Sequence, residues 1–193
     1  MTALMSEVPV GPLIQAQDLF HFNQVFRGLD GELWGVVHNV DGRQVLYHNL
    51  GEVLKAHGSG GVVNLRTGDT VALGLSSPHS IRVLPDGYVV FDSGAGTARV
   101  FTSAWTELDA FGTIAWGRGA DVSPDGRWLI AGMSPIRKRY AGRIPYLSAH
   151  LNPSVELFDM VGYRSLGCVV IPRCEQVYDV HFVARAEAEQ MIG

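Results

Sequence analysis

The sequence has few cysteines, which argues against a cysteine-based zinc or redox site and against a protein held together by disulfides. Only Cys168 and Cys174 occur among the 193 residues, and five residues separate them. This spacing matches no zinc-ribbon motif and no dithiol redox motif. We therefore expect a reduced, cytoplasmic protein.

Positive charge is also scarce. The formal net charge is −4, and no long run of lysine and arginine occurs. Because contacts to phosphates need clustered positive charge, we expect no nucleic-acid partner. The one basic cluster, Arg137-Lys138-Arg139 with Arg143, fits either a solvated loop between strands or an anion clamp beside a pocket.

Long apolar runs and helix-forming stretches are missing as well. No apolar run reaches the roughly 18 residues needed to cross a bilayer. The stretch from Met1 to Phe20 contains Glu7 and lacks the basic start and the apolar run of a signal peptide. We expect no membrane partner. Only Arg185 to Met191, rich in alanine and glutamate, predicts a short helix.

What the sequence does contain is turn chemistry between short apolar stretches. It has 23 glycines and 9 prolines, with 47% hydrophobic and 18% charged residues, a composition typical of a globular domain. Many glycines stand at hairpin positions, such as Asp41-Gly42, Gly68-Asp69 and Asp86-Gly87. This placement predicts many short strands.

A strand-turn-strand phrase recurs along the chain. The turns Pro85-Asp86-Gly87 and Pro124-Asp125-Gly126 lie 39 positions apart, close to the roughly 40–50-residue period of propeller blades. A looser copy begins at His21 and turns at Asp30-Gly31. The repeat predicts an all-β chain of β-propeller blades, and we expect the glycines of the two Pro-Asp-Gly turns to adopt a positive φ.

The spacing divides the chain into three parts: an N-terminal segment or seam strand (1–19), propeller blades (20–184) and a short C-terminal tail or helix (185–193). The blades span about 19–76, 78–115 and 118–173, and the first has strands near 21–28, 32–39, 43–50 and 61–74.

Val177 to Val183 resembles the start of a fourth blade. Since known rings use roughly four to eight blades, we expect a homodimer, or a second chain that supplies the missing blades. A truncated, open array is the alternative.

The first strand of each blade lines the channel of a propeller, so the polar residues at these strand starts converge near the axis. They are His21, Asn23, His79, Ser80, Arg118, Asp121, Tyr178, Asp179 and His181. His38 and Asn39 end a second strand, and Asp92 stands at the matching place in the next blade. Asn39 and Asp92 fit two roles: orienting a ligand, or capping their own turns.

These phrases resemble the six-bladed propellers of the NHL-repeat and gluconolactonase/strictosidine-synthase-like superfamily, through Pro78-His79-Ser80-Ile81, Pro85-Asp86-Gly87 and Phe91-Asp92-Ser93-Gly94. More narrowly, the order is similar to that of a propeller family of unknown function, over about residues 20–183. It is carried by His21-Phe22-Asn23, His38-Asn39, Pro78-His79-Ser80, Asp92-Ser93-Gly94-Ala95-Gly96, Arg118-Gly119, Ser134-Pro135 and Tyr178-Asp179. The resemblance implies a complete ring, of which this chain holds only the latter portion.

Histidine is a common metal ligand, and three imidazoles or carboxylates with an open position make an electrophilic centre. His21, His79 and His181 are therefore candidate ligands of one divalent metal ion, the only cofactor that we expect. The alternative is that these histidines hydrogen-bond water, backbone or a polar ligand. No local H-x-H or H-E-x-x-H motif selects between the two.

Two functional hypotheses follow. In the first, the channel binds or transforms a small polar molecule, with metal assistance. A lyase, isomerase or hydrolase would then use His79 and Asp121 for catalysis, and substrate contacts would come from Asn23, His38, Asn39, Ser80, Arg118, Tyr178 and Asp179. In the second, the propeller is a non-enzymatic scaffold for protein–protein interaction. The four tryptophans need no ligand, because packing between blades explains them.

Overall fold

The computed structural model describes residues 20–41, 59–135 and 152–192. Within these ranges, twelve strands form three four-stranded antiparallel sheets, each a propeller blade. The first blade contains β1 (Phe22–Arg27), β2 (Leu33–Val37), β3 (Gly60–Asn64) and β4 (Thr70–Leu75). The second contains β5 (Pro78–Leu84), β6 (Gly87–Asp92), β7 (Thr97–Thr102) and β8 (Glu107–Gly112). The third contains β9 (Trp116–Val122), β10 (Trp128–Ser134), β11 (Ser154–Asp159) and β12 (Arg164–Val170). The prediction of an all-β fold built from propeller blades is confirmed.

The first blade departs from the predicted strands at one turn. The stretch 61–74 forms two strands instead of one, because Asn64 ends β3 with a side-chain turn. Its Oδ1 accepts hydrogen bonds from the backbone N–H groups of Arg66 (2.9 Å) and Thr67 (3.0 Å), and Gly68 follows with a φ of +82°. The predicted strand at 43–50, the seam strand near Pro12 to Ala16 and the cluster around Arg137 lie outside the described residues.

The two Pro-Asp-Gly glycines serve different purposes. Gly126 has a φ of +71°, as predicted. For Gly87 the prediction of a positive φ is wrong, since Gly87 already belongs to β6. It is needed for space, because a Cβ there would lie 2.0 Å from the carbonyl oxygen of Phe101 on the paired strand β7.

Two apolar cores hold the blades together, one between each neighbouring pair. Between the first and second blades, Trp105 lies among Phe26, Trp34 and Tyr88, and its ring stacks on that of Tyr88 at 4.1 Å. Between the second and third blades, the core centres on the fully buried Phe158 and the rings around it. Packing of Trp34 and Trp105 between blades confirms that part of the tryptophan prediction.

The first strands of adjacent blades lie side by side. The Gln24 side chain on β1 bonds to both backbone groups of Ile81 on β5, accepting from its N–H at 2.9 Å and donating to its carbonyl at 3.3 Å. On β5, Arg82 donates to the carbonyl of Ala120 on β9. These bonds fix the first strands of the three blades beside one another.

The C-terminal segment Val177–Val183 does not form the predicted strand. It lies along β9, where the Gly119 N–H donates to the carbonyl of Tyr178 at 2.8 Å. Gly119 leaves room for this contact, because a Cβ would stand 2.3 Å from that oxygen. A strand needs a ladder of backbone bonds, and no described second strand follows to supply one. The predicted helix is confirmed as α1 (Arg185–Ile192).

Among the described residues, no helix is long and apolar enough to span a membrane.

Candidate functional site

Three histidines form a continuous row at the start of β1, the end of β2 and the start of β5. The ring of His38 lies 4.7 Å from that of His21 and 5.6 Å from that of His79, centroid to centroid, with the rings edge to face. His21 precedes β1 with a φ of +51°, a conformation that few non-glycine residues adopt. His38 follows β2, and its N–H bonds back to the carbonyls of Phe20 and His21 at 3.1 Å. We call His21, His38 and His79 the histidine row.

His79 is held in one protonation state by its two hydrogen bonds. Its Nδ1 lies 2.9 Å from the carbonyl oxygen of Ser77, and its Nε2 lies 3.1 Å from Nη1 of Arg118. Since a carbonyl only accepts and a guanidinium only donates, Nδ1 carries the hydrogen and Nε2 carries the lone pair. His79 is therefore a neutral imidazole in this arrangement.

The backbone around His79 is unusual in two places. Ser77 and Ser80 have φ values of +49° and +38°, and a β-bulge between His79 and Ile81 interrupts the pairing of β5 with β6. A bulge re-aims the side chains next to it. Ser80, a predicted substrate contact, is itself buried at 8% exposure.

Arg118 extends the row into the third blade. Besides its bond to His79, its guanidinium carbon lies 5.7 Å from the centre of the Tyr178 ring, within the range of cation–π contact. Tyr178 is 66% exposed and comes from the C-terminal segment. The structure thus brings His21, His38, His79, Arg118 and Tyr178 of the predicted site into one chain of contacts.

Two predicted ligand contacts bind other parts of the protein. Asn23 donates through its side-chain nitrogen to the carbonyl of Pro78, which ties β1 to β5. Asn39, 2% exposed, accepts a hydrogen bond from the Ser59 hydroxyl at 3.3 Å. Each of these contacts connects two segments of the fold.

Asp121, Asp179 and His181 belong to a second polar cluster, which we call the terminal clasp together with Arg82. Nε2 of His181 lies 3.0 Å from Oδ2 of Asp179, and Nη2 of Arg82 lies 3.5 Å from Oδ1 of the same carboxylate. Burial lowers the pKa of Arg82, while the charges of Asp179 and Asp121 oppose that shift. The two oxygens of Asp121 accept from the backbone N–H groups of Val122 (2.9 Å) and Phe182 (2.8 Å). The clasp fastens the C-terminal segment to β5 and β9.

The three predicted metal ligands are divided between these clusters. His21 and His79 both contact His38 in the row, whereas His181 contacts the carboxylates of the clasp. Within the described part of the chain, no three or more histidine, cysteine or acidic side chains are grouped so that they could hold a metal ion.

Asp92 caps the linker between blades and not its own turn. Its Oδ1 accepts from the Ser76 N–H at 2.6 Å, and its Oδ2 lies 3.5 Å from Nη1 of Arg99. Burial raises the pKa of Asp92 to about 6, against the opposing effects of the Ser76 bond and the Arg99 charge. The Asp92 side chain thus caps a backbone N–H group, as the turn-capping interpretation has it, but this group belongs to the linker that leads to His79 and not to the turn of Asp92 itself.

Sequence reasoning missed a second buried carboxylate, Glu156 on β11. It is 0% exposed, accepts from the Ile114 N–H at 3.1 Å and from the Ser165 hydroxyl at 2.6 Å, and so caps the linker that leads to the third blade. Strand alternation could have found it, because Glu156 shares the inward side of β11 with Phe158.

Comparison with known proteins gives little beyond this geometry. No protein-family model matches the sequence, and the search among curated proteins finds no match. Among solved structures, 117 chains match significantly. One is similar at 18% identity with a TM-score of 0.46, over 76% of this chain and 36% of the other, and is described as "Kuenenia stuttgartiensis Hydrazine Synthase". The chain therefore spans about a third of the length of that protein.

Proposed function

We propose that the blades bind a small polar molecule at the channel-side starts of their first strands, on the histidine row and Arg118. The observation that supports this best is the continuity of the row: His21, His38, His79 and Arg118 come from three blades, yet each side chain touches the next. Imidazole, guanidinium and phenol groups converging in this way suit a polar ligand. We also propose, on the blade phrases, that the chain is a member of the NHL-repeat and gluconolactonase/strictosidine-synthase-like superfamily.

If the site is catalytic, His79 is the residue that we propose as general base or acid. Its Nε2 carries the lone pair and faces Arg118, so a substrate that takes the place of the guanidinium could give its proton to this nitrogen. Asp121 fits catalysis less well, because both its oxygens accept backbone hydrogen bonds in the clasp. The reaction types that remain proposed are those of a lyase, an isomerase or a hydrolase.

A ligand screen tests the proposed function. Purified protein is mixed with a library of small polar metabolites, and binding is followed by ligand-observed NMR and thermal stabilisation. We expect at least one compound to bind the wild type and to lose about tenfold or more in affinity with His79→Asn. Asparagine can still donate to the Ser77 carbonyl but lacks Nε2, so the local turn is preserved. Arg127→Gln is the matched control, because Arg127 is exposed and stacks on Trp128 at 4.7 Å.

Metal analysis of the same preparations tests the metal-assisted version, which stays a prediction. Stoichiometric metal that is lost in His21→Ala and His79→Ala would support it. A folded protein that binds no compound and no metal would favour the scaffold hypothesis instead.

A further inference from the structure

We propose that the C-terminal segment Val177–Val183 is a gate over the site, and that Tyr178 is the positioning residue that closes it. The inference rests on the proposed function and names what controls access to His79. The centre of the Tyr178 ring lies 5.7 Å from the guanidinium carbon of Arg118, and Nη1 of Arg118 lies 3.1 Å from Nε2 of His79. One arginine side chain therefore connects the segment to the histidine row.

Both ring nitrogens of His79 are engaged while the gate is closed. Its Nδ1 bonds to the carbonyl oxygen of Ser77 at 2.9 Å, and its Nε2 faces Arg118. Because a guanidinium only donates, it covers the lone pair of Nε2. A substrate reaches this lone pair only after the guanidinium turns away, so the groups that hold Arg118 in place control the proposed base.

The Tyr178 ring is one of the groups that hold Arg118. A cation within about 6 Å of the centre of an aromatic ring is attracted to the ring. The backbone places the ring there, since the carbonyl of Tyr178 accepts a hydrogen bond at 2.8 Å from the N–H of Gly119, the residue next to Arg118. Arg118 has further interactions, so removal of the ring should loosen the guanidinium and not release it completely.

The segment that carries Tyr178 is fastened by polar contacts near the surface. Tyr178, Asp179, His181 and Val183 are all exposed, and ion pairs between exposed groups contribute little to stability. The N–H of Phe182 adds a hydrogen bond to a side chain, the carboxylate of the terminal clasp. Segments with few buried apolar contacts and exposed hydrogen bonds open at the lowest cost, and the lids of binding sites are drawn from them.

Acylation by diethyl pyrocarbonate measures how often the gate opens, because this reagent attacks through the lone pair of a neutral imidazole nitrogen. The full chain is treated at neutral pH without any ligand, and the rate of modification of His79 is followed by peptide mass spectrometry. N-acetylhistidine in the same mixture corrects for the activity of the reagent. Circular dichroism verifies that each variant folds.

Four variants separate the ring from the rest of the segment. Tyr178→Ala removes the ring, and Tyr178→Phe keeps it. Phe182→Pro loosens the segment at a distance from the ring, because proline lacks the N–H that Asp121 accepts. Val183→Ala is the matched control, since Val183 is an exposed residue of the same segment.

We expect His79 to react about two- to fivefold faster in Tyr178→Ala than in the wild type, as the loss of an exposed cation–π contact implies. Phe182→Pro should accelerate the reaction as well. Tyr178→Phe and Val183→Ala should react at close to the wild-type rate. Equal rates in the wild type, Tyr178→Ala and Phe182→Pro, or a rate in Tyr178→Phe as high as that in Tyr178→Ala, would overturn the gate.

This assay needs no ligand, so its outcome is separate from that of the ligand screen. Equal acylation rates together with a compound that binds through His79 would remove the gate and leave the proposed function intact. Faster acylation in Tyr178→Ala without any bound compound would support the link between the segment and His79 and contradict the proposed function.

Discussion

At the scale of single residues, buried carboxyl groups hold the linkers that position the site. Asp92 and Glu156 each accept the backbone N–H of the linker that enters their blade, from Ser76 and Ile114. An unpaired backbone N–H buried at such a junction would cost about 1–3 kcal/mol. The linker at Ser76 leads within three residues to His79, so a structural carboxylate supports the proposed ligand contact.

Because Asp92 is buried, its carboxyl group should make the protein less stable as pH rises, which is the reverse of the usual effect of a hydrogen-bonded carboxylate. Its pKa is about 6 in the folded protein against an ordinary 3.8, so between these values the folded state holds a proton that the unfolded chain has released. The free energy of unfolding should therefore fall as pH rises through this window and level off above it. Asp92→Asn keeps the acceptor for Ser76 and never ionises. The difference in free energy of unfolding between this variant and the wild type should therefore shift by about 2–3 kcal/mol in favour of the variant as pH rises through the window.

Urea unfolding at both ends of the window measures this difference. Asp125→Asn is the control, because hydrogen bonds from Ser123 and Arg127 lower the pKa of the exposed Asp125. A carboxyl group with a lowered pKa stabilises the fold at pH values above its ordinary pKa. The stability that Asp125 contributes is therefore lost as pH falls, whereas the stability that Asp92 contributes is lost as pH rises. If wild type and Asp92→Asn show the same pH slope, the burial argument is wrong.

At the scale of strands and turns, identical turn sequences predict different responses to mutation. Gly126 needs a positive φ, so Gly126→Ala should lose about 1–2 kcal/mol through backbone strain. Gly87 needs space against the Phe101 carbonyl, so Gly87→Ala forces β6 and β7 apart, and overpacking of this kind typically costs about 1–3 kcal/mol. We expect both variants to have lower thermal midpoints than the wild type, with Gly87→Ala the lower.

Gly112 offers a matched control in the same blade. It lies at the end of β8 without a positive φ, and no atom stands within 4 Å of where its Cβ would be. Gly112→Ala should therefore leave the thermal midpoint nearly unchanged. A midpoint for Gly87→Ala equal to that of Gly112→Ala would contradict the pairing of Gly87 with β7.

At the scale of the whole molecule, three blades leave the outer face of the first blade without a described neighbour, while the C-terminal segment covers only part of the outer face of the third, along β9 and β10. On the third blade, Val169 is paired with Val155 across β12 and β11 and is 67% exposed, and Leu157 on the same face is 36% exposed. On the first blade, Val25 is 48% exposed. Soluble proteins rarely leave apolar sheet surface uncovered. We propose that a second copy of the chain covers these faces and completes a ring by a two-fold axis, with a partner chain as the alternative.

Sedimentation equilibrium of the isolated chain tests the assembly. We expect a dimer, and Val169→Lys should shift it toward monomer because a charge would be buried at the seam. Leu108→Lys is the matched control: Leu108 is 57% exposed but lies on β8 of the middle blade, between the other two. A stable, folded monomer of the wild-type chain would contradict both the homodimer and the partner chain.

The sequence alone determined that the chain folds into blades and approximately where each blade begins and ends. Turn chemistry and strand alternation are local properties, readable from Pro-Asp-Gly, Asp30-Gly31 and the apolar stretches beside them. The same local signals placed His79 and Arg118 at the starts of first strands. They could not tell that Gly87 is required by the nearby strand β7, because that contact depends on how the strands pair.

Only the tertiary structure decided which polar residues meet. His38 lies between His21 and His79, and His181 joins Asp121 and Asp179 instead of the row. The histidine row forms beside the bulge at Ser80 and the positive φ of Ser77 and His21, and a bulge re-aims the side chains next to it. No sequence pattern marks these conformations, because they occur where residues far apart in the chain meet, as in the hydrogen bonds of Asn23 to Pro78 and of Gln24 to Ile81.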